Sequence, residues 1–458
     1  MQDSNSGGTI SRRGFLGASM AAGSAFTILP GHLLGLNGQT PPSELLNVAV
    51  IGAGGRGSSN ISELHERGLA RIAALCDVDD ERAAEVYARF PDVPKYRDFR
   101  KMLDKETGID AVVVATPDHM HAIASLAAIQ LGKHVYCEKP LTHTVHEARV
   151  LAKAAREKGV ATQMGNQGMA FDGNRLITEW LQAGAIGPVR EVHAWSDRPT
   201  HYGKLMWAQG MERPTDTPPV PATLDWDLWL GPAPERPYHP AYAPFVWRGW
   251  WDYGSGGLGD MGIHNLAPVF SSLQLGAPES VDASSTLFND ASLPLATMVH
   301  YRFPARGDLP PVDVHWYDGG NLPPRPEELE PGEELDPEDG LIFVGDKGKI
   351  LVESWGGERP RLLPKSRMES YQQPPQTLAR SIGHHAEWVE ACKGGAPARS
   401  SFDFAGPLTE AVLLGMVAVR ARRHLVWDSA SLTVTNSPEA NALVTKQYRK
   451  GWELGQVG

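Results

Sequence analysis

The chain has 458 residues, 41% hydrophobic and 21% charged, which supports a large core in one big domain or two ordinary ones. A net charge of −11 with no basic block to offset it argues against a nucleic-acid partner. Three cysteines, Cys76, Cys137 and Cys392, give neither a disulfide framework nor metal-type spacing.

Residues 1–45 do not read as part of a folded core. Ser11-Arg12-Arg13-Gly14-Phe15-Leu16 is a twin-arginine pattern, followed over 17–29 by an apolar, small-residue stretch. That stretch is too short and too weakly apolar for a membrane span. The bland alternative is a chance arginine pair at a frayed terminus. Arginine pair, aromatic-leucine step and apolar run arrive together, so 1–45 is expected to be a Tat signal and linker. The destination is then the periplasm, reached after folding. Any cofactor would be loaded before export and regenerated in place.

From 46 to 166 apolar strands alternate with amphipathic helices, the pattern of a parallel α/β unit. Strands are expected at 46–51, 71–76, 109–115, 134–137 and 161–164, with a short one near 94–96. The first ends in Gly52-Ala53-Gly54-Gly55-Arg56-Gly57, a G-x-G-x-x-G loop before a helix over about 58–67. Gly52 suits a tight turn, Gly54 a close approach to a pyrophosphate, and Gly57 tight helix–strand packing. The helix N-terminus would face the phosphates. A lone glycine motif is weak in a chain with 48 glycines. The second strand, however, ends in Asp77, where an acid for the adenosine ribose belongs. No arginine follows Asp77 immediately, so NAD is expected over NADP. The later strands end in Thr116-Pro117-Asp118-His119 and Glu138-Lys139-Pro140, both at the edge where ligands of such sheets sit.

After 166 the pattern changes. A helix over about 173–183 leads to an alternating strand at 189–195. Further alternating runs lie near 280–288, 295–303, 312–317, 341–345 and 349–354, pointing to an antiparallel or mixed sheet rather than more βαβ units. The fold class is therefore α/β. An N-terminal Rossmann dinucleotide-binding domain is expected over 46–166 and a C-terminal α+β domain over 167–458, whose exposed sheet face would suit oligomerisation. Residues 199–250, rich in Pro, Trp, Tyr and Arg, read as a long loop shaping a cleft. Arg198, Trp207, Arg248 and Trp250 are the expected substrate contacts there. Residues 319–340, with Glu327, Glu328, Glu330, Glu333 and Glu334, read as a solvated acidic insertion. Helices return at about 384–393 and 404–423.

Two places carry chemistry. Lys139, at a strand end, is placed to donate to a substrate oxygen and stabilise developing negative charge; in isolation it would be an ordinary surface lysine. Asp260 and His264 follow the glycine run 256–262 at helical spacing, so they share a face. A carboxylate-oriented imidazole is a good general base. The competing readings are a plain N-cap beside a core histidine, or half a metal site. Spacing places no third ligand, so no metal is expected.

Together these motifs resemble the Gfo/Idh/MocA oxidoreductases, the glucose–fructose oxidoreductase and inositol dehydrogenase family, in a Tat-exported subgroup. The resemblance runs from about residue 46 to near the C-terminus, and it implies that the C-terminal domain is an open, largely antiparallel sheet carrying the substrate site. It implies that Lys139, Asp260 and His264 form the catalytic trio, with His264 as acid/base. It also implies that Gly52, Gly54, Gly55, Arg56, Gly57, Asp77, Thr116, Pro117, His119, Glu138, Lys139 and Gln167 contact the nucleotide.

The leading expectation is an NAD(P)-dependent oxidoreductase acting on a CH–OH group of a sugar, cyclitol or glycoside, with tightly bound NAD. An alternative is an NAD-dependent glycosidase or lyase working by transient oxidation and elimination. A third is a non-catalytic sugar-binding protein. A homo-oligomer through the C-terminal sheet is expected.

Overall fold

The computed structural model describes residues 44–455; the twin-arginine stretch lies outside them. The first half builds β1 (Leu46–Ile51), α1 (Arg56–His65), β2 (Ala70–Cys76), α2 (Asp80–Arg89), β3 (Lys95–Tyr96), α3 (Phe99–Lys105) and β4 (Ala111–Val114). It continues through α4 (Asp118–Gln130), β5 (His134–Glu138), α5 (Val145–Lys158) and β6 (Thr162–Gly165). All six strands run parallel in the order β3-β2-β1-β4-β5-β6. Every residue of β4 and the last four of β1 are buried, which is why both are continuous apolar runs rather than alternating ones. Strand order reverses between β1 and β4, which opens a crevice at their carboxyl ends. Helix α5 starts on a capping box, Thr144 with Glu147.

The rest of the chain adds α6 (Asp172–Gln182), β7 (Val189–Ser196), the small hairpin β8 (Thr200–His201) and β9 (Lys204–Leu205), and α7 (Trp226–Leu230). Then come α8 (Ile263–Leu273), β10 (Ser280–Ser285), β11 (Thr297–Phe303), β12 (Val312–Tyr317), β13 (Asp339–Gly345), β14 (Gly348–Val352) and β15 (Pro360–Leu363). The last elements are α9 (Lys365–Ser370), α10 (His384–Cys392), α11 (Phe402–Ala421), β16 (Leu425–Asp428), β17 (Thr433–Val434) and α12 (Pro438–Asn441). Nine strands form one sheet in the order β15-β14-β13-β7-β12-β11-β10-β16-β17. Only β7 and β12 pair in parallel, so the sheet is largely antiparallel, as expected. The sequence shows six of these strands; β15, β16 and β17 are two to four residues long and too short to display a period.

The inner face of this sheet, including Val192, Ala194, Tyr301, Val314, Trp316 and Phe343, packs with α8 and α11 in the main core. Helix α11 is long and apolar enough to pass for a membrane span, but its hydrophobicity is used against α5 and the sheet. It also ties the second sheet to the first, and both belong to one compact unit from Leu46 on.

One expectation needs correction. The acidic stretch 319–340 is not simply solvated. Leu329 and Leu335 are buried on the outer sheet face against Trp195, Ile342, Leu351 and Leu363. Glu328 and Glu333 pair with Lys349 and Arg361 at 2.7 and 2.6 Å. An apolar patch on the outer face of β7 and β13–β15 needs a cover, and burying each leucine is worth about 1.5–3 kcal/mol. Residues 199–250 are the expected long loop region, broken only by a small hairpin and short helical turns, and they carry a packed interior. Trp226, Trp229, Tyr238, Tyr242, Trp247, Trp250 and Tyr253 form a core of their own.

Candidate active site

A cleft of about 670 Å³ runs along the carboxyl ends of β1, β2, β4 and β5 and continues under the second sheet. At one end lies the glycine loop. A Cβ on Gly57 would sit 1.8 Å from the Gly52 carbonyl, so α1 can lie against β1 only with glycine there. At Gly54 the crowding comes from elsewhere: an added Cβ would meet the Arg82 carbonyl at 2.6 Å. Asp77 closes this end from the tip of β2. Its carboxylate accepts from the Gly54 and Asp79 amides at 2.8 and 3.0 Å, and burial raises its pKa despite those bonds.

The long loop reaches across just beyond Asp77. The Asp80 amide donates to the Thr223 carbonyl at 3.1 Å, and the Asp225 amide donates to the Val78 carbonyl at 2.8 Å. Trp452, from the end of the described chain, lines the same part of the cleft under the Arg100 guanidinium, 4.2 Å away.

The middle of the cleft is organised by Glu138. One oxygen accepts from Arg56 Nε, Asn60 Nδ2 and Gln167 Nε2 at 3.0, 3.0 and 3.1 Å. Thr116, Pro117 and Gln167 line the wall beside it. Both ring nitrogens of His121 meet carbonyl oxygens: Nδ1 that of Pro140 at 2.6 Å and Nε2 that of Thr116 at 2.8 Å. Two acceptors require two N–H groups, hence an imidazolium. Burial would lower its pKa, but Cys137, Asp118 and the Pro140 carbonyl outweigh burial and raise it to about 9. His121 thus staples the turn bearing Thr116 to the turn bearing Lys139.

At the far end Lys139 Nζ donates to Asp260 Oδ1 and to the Asp260 carbonyl, both at 2.7 Å. Asp260 also takes Arg248 Nε at 3.2 Å and lies 3.5 Å from Arg198 Nε. Burial would raise its pKa, yet Lys139 and Arg248 hold it well below the usual carboxylate range. Asp260 is not an N-cap. It sits in a π-helical turn, Leu258–Gly262, that runs directly into α8.

The expected Asp260–His264 pair does not form, because three cations take up that carboxylate. His264 instead meets the edge of Trp355, centroid to centroid 5.2 Å. Burial, then the nearby Lys139, pushes its pKa well below the ordinary value, so the ring is neutral at neutral pH. Thr116 and His264 both line the cleft, and each has a buried polar atom, Oγ1 and Nδ1, with no hydrogen-bond partner among the described residues.

Gly52, Gly54, Gly55, Arg56, Asp77, Thr116, Pro117, Glu138, Lys139, Gln167, Arg198, Arg248 and His264 all line this one cleft. Five expected site residues do not. His119 is fully buried, and its Nε2 bonds the Trp229 carbonyl at 3.0 Å; it anchors the aromatic core rather than facing a ligand. Trp250 donates to the Ala241 carbonyl inside that core. Trp207 donates to Gln209 at 2.8 Å and faces Arg248 from behind. Gly57 and Asp260 lie behind the lining, one as packing and the other as a clamp on Lys139. Asn265 is also structural, bonding the Trp195 carbonyl, Asp339 and the Gly356 amide. Arg82, His121, Trp355 and Trp452 are the additions. Nothing local marks them; only His121, two positions after the Thr-Pro-x-His strand end, stands near a motif.

The residues 46–166 match the model of an oxidoreductase family described as the NAD-binding Rossmann fold, and 179–292 match the C-terminal α/β domain of the same family. Together these matches cover just over half of the chain. The chain is 31% identical over 115 residues to levoglucosan dehydrogenase of Pseudarthrobacter phenanthrenivorans, covering 25% of this chain and 29% of that protein. It is 41% identical over 154 residues to an inositol 2-dehydrogenase of Streptomyces avermitilis, covering 33% of this chain and 44% of that one. The chain thus spans less than half the length of these relatives. Among solved structures, the WlbA dehydrogenase of Bordetella pertussis, in complex with NADH and UDP-GlcNAcA, aligns with a TM-score of 0.58 at 17% identity. That alignment covers 84% of this chain and 99% of the other, and indicates a shared fold.

Proposed function

Because the chain belongs to the Gfo/Idh/MocA oxidoreductase family, we propose that it binds NAD in this cleft and oxidises or reduces a carbohydrate or cyclitol carbon bearing a hydroxyl. The observation that carries this reading is the convergence of Lys139 and a neutral, unpartnered His264 at the end of the cleft opposite Asp77. Residues fitted to the dinucleotide are the glycine loop, Asp77, the unpartnered Thr116 hydroxyl, and Arg56 with Glu138. Bound NAD supplies hydride acceptance from the substrate carbon.

The chain's own residues do the rest. Neutral His264 takes the hydroxyl proton as the carbonyl forms. Lys139, fixed by its two bonds to Asp260, donates to the same oxygen and stabilises its developing charge. In the reducing direction His264 returns the proton to that oxygen while Lys139 keeps its hydrogen bond to it. The segment at 223–225 and Trp452 cover the adenosine end, which supports a cofactor retained through turnover. Retention suits export by the twin-arginine route, with the periplasm as the place of action.

Lys139, Arg198 and Arg248 face Asp260, and Asp197 answers Arg198 at 2.8 Å. Asp118 and Asp339 line the same end and face Lys139, Arg248 and Arg198 as well, so the cations are matched by carboxylates, and the screen spans neutral and acidic sugars alike.

The test begins with protein purified without added nucleotide, denatured, and its released small molecules identified by mass spectrometry. Near-stoichiometric NAD(H) is expected. A panel of neutral and acidic sugars, cyclitols and glycosides then follows, read by reduced-nicotinamide absorbance. Protein that is empty and does not bind added NAD would sink the proposal. Release of an aglycone without net reduction would move the reading to a redox-neutral glycosidase or lyase.

A further inference from the structure

Away from the cleft, the outer face of the nine-stranded sheet carries side chains that the chemistry above leaves unused. His193 on β7, His315 on β12 and His300 on β11 are direct cross-strand neighbours, His193 opposite His315 and His315 opposite His300. Their rings stack, with centroids 5.1 and 4.6 Å apart. Glu191 precedes His193 by two residues on the same strand, so it projects from the same face. One Glu191 oxygen, Oε1, lies 3.2 Å from His193 Nε2 and 3.2 Å from His315 Nε2. The three ligand atoms all fall within 4.8 Å of one another. His193 Nδ1 is held by the Tyr317 hydroxyl at 3.1 Å, which leaves Nε2 turned toward Glu191.

We propose that Glu191, His193 and His315 bind a divalent transition-metal ion such as zinc across the one parallel strand pair of this sheet. The distances fit. A tetrahedral ion with bonds of about 2.0–2.1 Å sets its ligand atoms about 3.3 Å apart, close to the two nitrogen–oxygen edges of 3.2 Å seen here. The donors fit as well. Two imidazoles and one carboxylate suit zinc, copper or nickel, whereas calcium and magnesium take oxygen ligands. The Tyr317 contact is the outer hydrogen bond that fixes a ligating imidazole. All three residues are partly exposed, so the ion has an entry path and a fourth position open to solvent. The ion would cross-link β7 to β12, two strands far apart in sequence.

The test uses the full chain stripped with a chelator and titrated with zinc in a calorimeter. One ion per chain is expected, with micromolar or tighter affinity and a rise in Tm on saturation. The cobalt-loaded protein should show the visible spectrum of a four-coordinate nitrogen and oxygen site. The paired substitution His193→Gln with His315→Gln should weaken zinc binding at least tenfold and abolish the Tm rise. Its metal-free Tm serves as the folding control, and Glu191→Gln, the milder change, should weaken binding on its own. Absence of saturable binding at about 1 mM zinc would overturn the site. So would unchanged binding in a folded double variant.

Discussion

The two ends of the cleft are built in opposite ways. The adenosine end is local: Gly52, Gly54, Gly55, Arg56 and Asp77 come from one strand–helix–strand unit, and hydrogen bonds within that unit set its geometry. The reacting end is assembled from distant pieces. Lys139 comes from the end of β5, Arg198 from the turn after β7, Arg248 from the aromatic region, and Asp260 and His264 from the helix at 256–273. A local unit tolerates change in the rest of the protein. An assembled one depends on ion pairs that cross the molecule. The two ends should therefore fail differently, one in cofactor recognition and the other in turnover.

The largest separation is expected at His264. His264→Ala should lower kcat by roughly 10²–10⁴-fold, the usual worth of a positioned general base. NADH affinity, measured by reduced-nicotinamide fluorescence, should stay within a few-fold of the parent. A parallel loss of both would mean that His264 is structural. Since its pKa lies well below the ordinary value, kcat/KM of the parent should hold as pH falls through 6.5, where a solvent-exposed histidine would already protonate. Next comes the clamp. Lys139→Met should cost roughly 10²–10³-fold in kcat, comparable to losing one oxyanion donor. Asp260→Asn removes the charge that fixes Lys139 and leaves three cations facing a neutral amide. It should therefore lower kcat more than it raises KM, and a change confined to KM would count against the positioning role.

The same contrast explains what was legible in the sequence. The buried strands β1 and β4 announce themselves as apolar runs, and the glycine loop, Asp77, Glu138 and Lys139 sit at strand ends where the parallel fold puts ligands. Asp260 and His264 show as a pair by spacing, but spacing cannot tell that the carboxylate turns to Lys139 and Arg248 instead of the imidazole. Tryptophans are a weaker guide. Trp207 and Trp250 are packing residues, while Trp355 and Trp452, far along the chain, line the cleft. His119 sits beside a strand end and still faces away, because α4 rotates it toward Trp229. Glu191 and His315 are more than a hundred residues apart, so only strand pairing brings them together.

At the adenosine end the expected effects are smaller. Asp77→Asn keeps an oxygen for the Gly54 amide but removes the charge that repels a 2′-phosphate. Arg82 lies against the glycine loop and is available to a phosphate there. The preference for NAD over NADP, read as the ratio of dissociation constants, should fall about 10- to 100-fold, in line with about 1.5–3 kcal/mol for a hydrogen bond to a charged group. Turnover with saturating NAD should barely change. An unaltered ratio would mean that selection lies with other residues.

His121 joins the two ends, and its effect should appear in stability rather than in rate. Its folded pKa is raised to about 9, against about 6.5 for an unperturbed imidazole. A group whose pKa is higher when folded stabilises the fold fully below the unfolded value, and that contribution fades as pH rises through the folded value. Between pH 6.5 and about 9 the parent should thus lose stability progressively, by up to about 3 kcal/mol from this group. His121→Gln can still donate one of the two bonds but cannot titrate. Its Tm should be lower than the parent's near pH 6.5, and the gap should close by about pH 9.5. A constant gap across that range would show that His121 is a neutral packing residue, and the turns carrying Thr116 and Lys139 would then owe their alignment to the backbone alone.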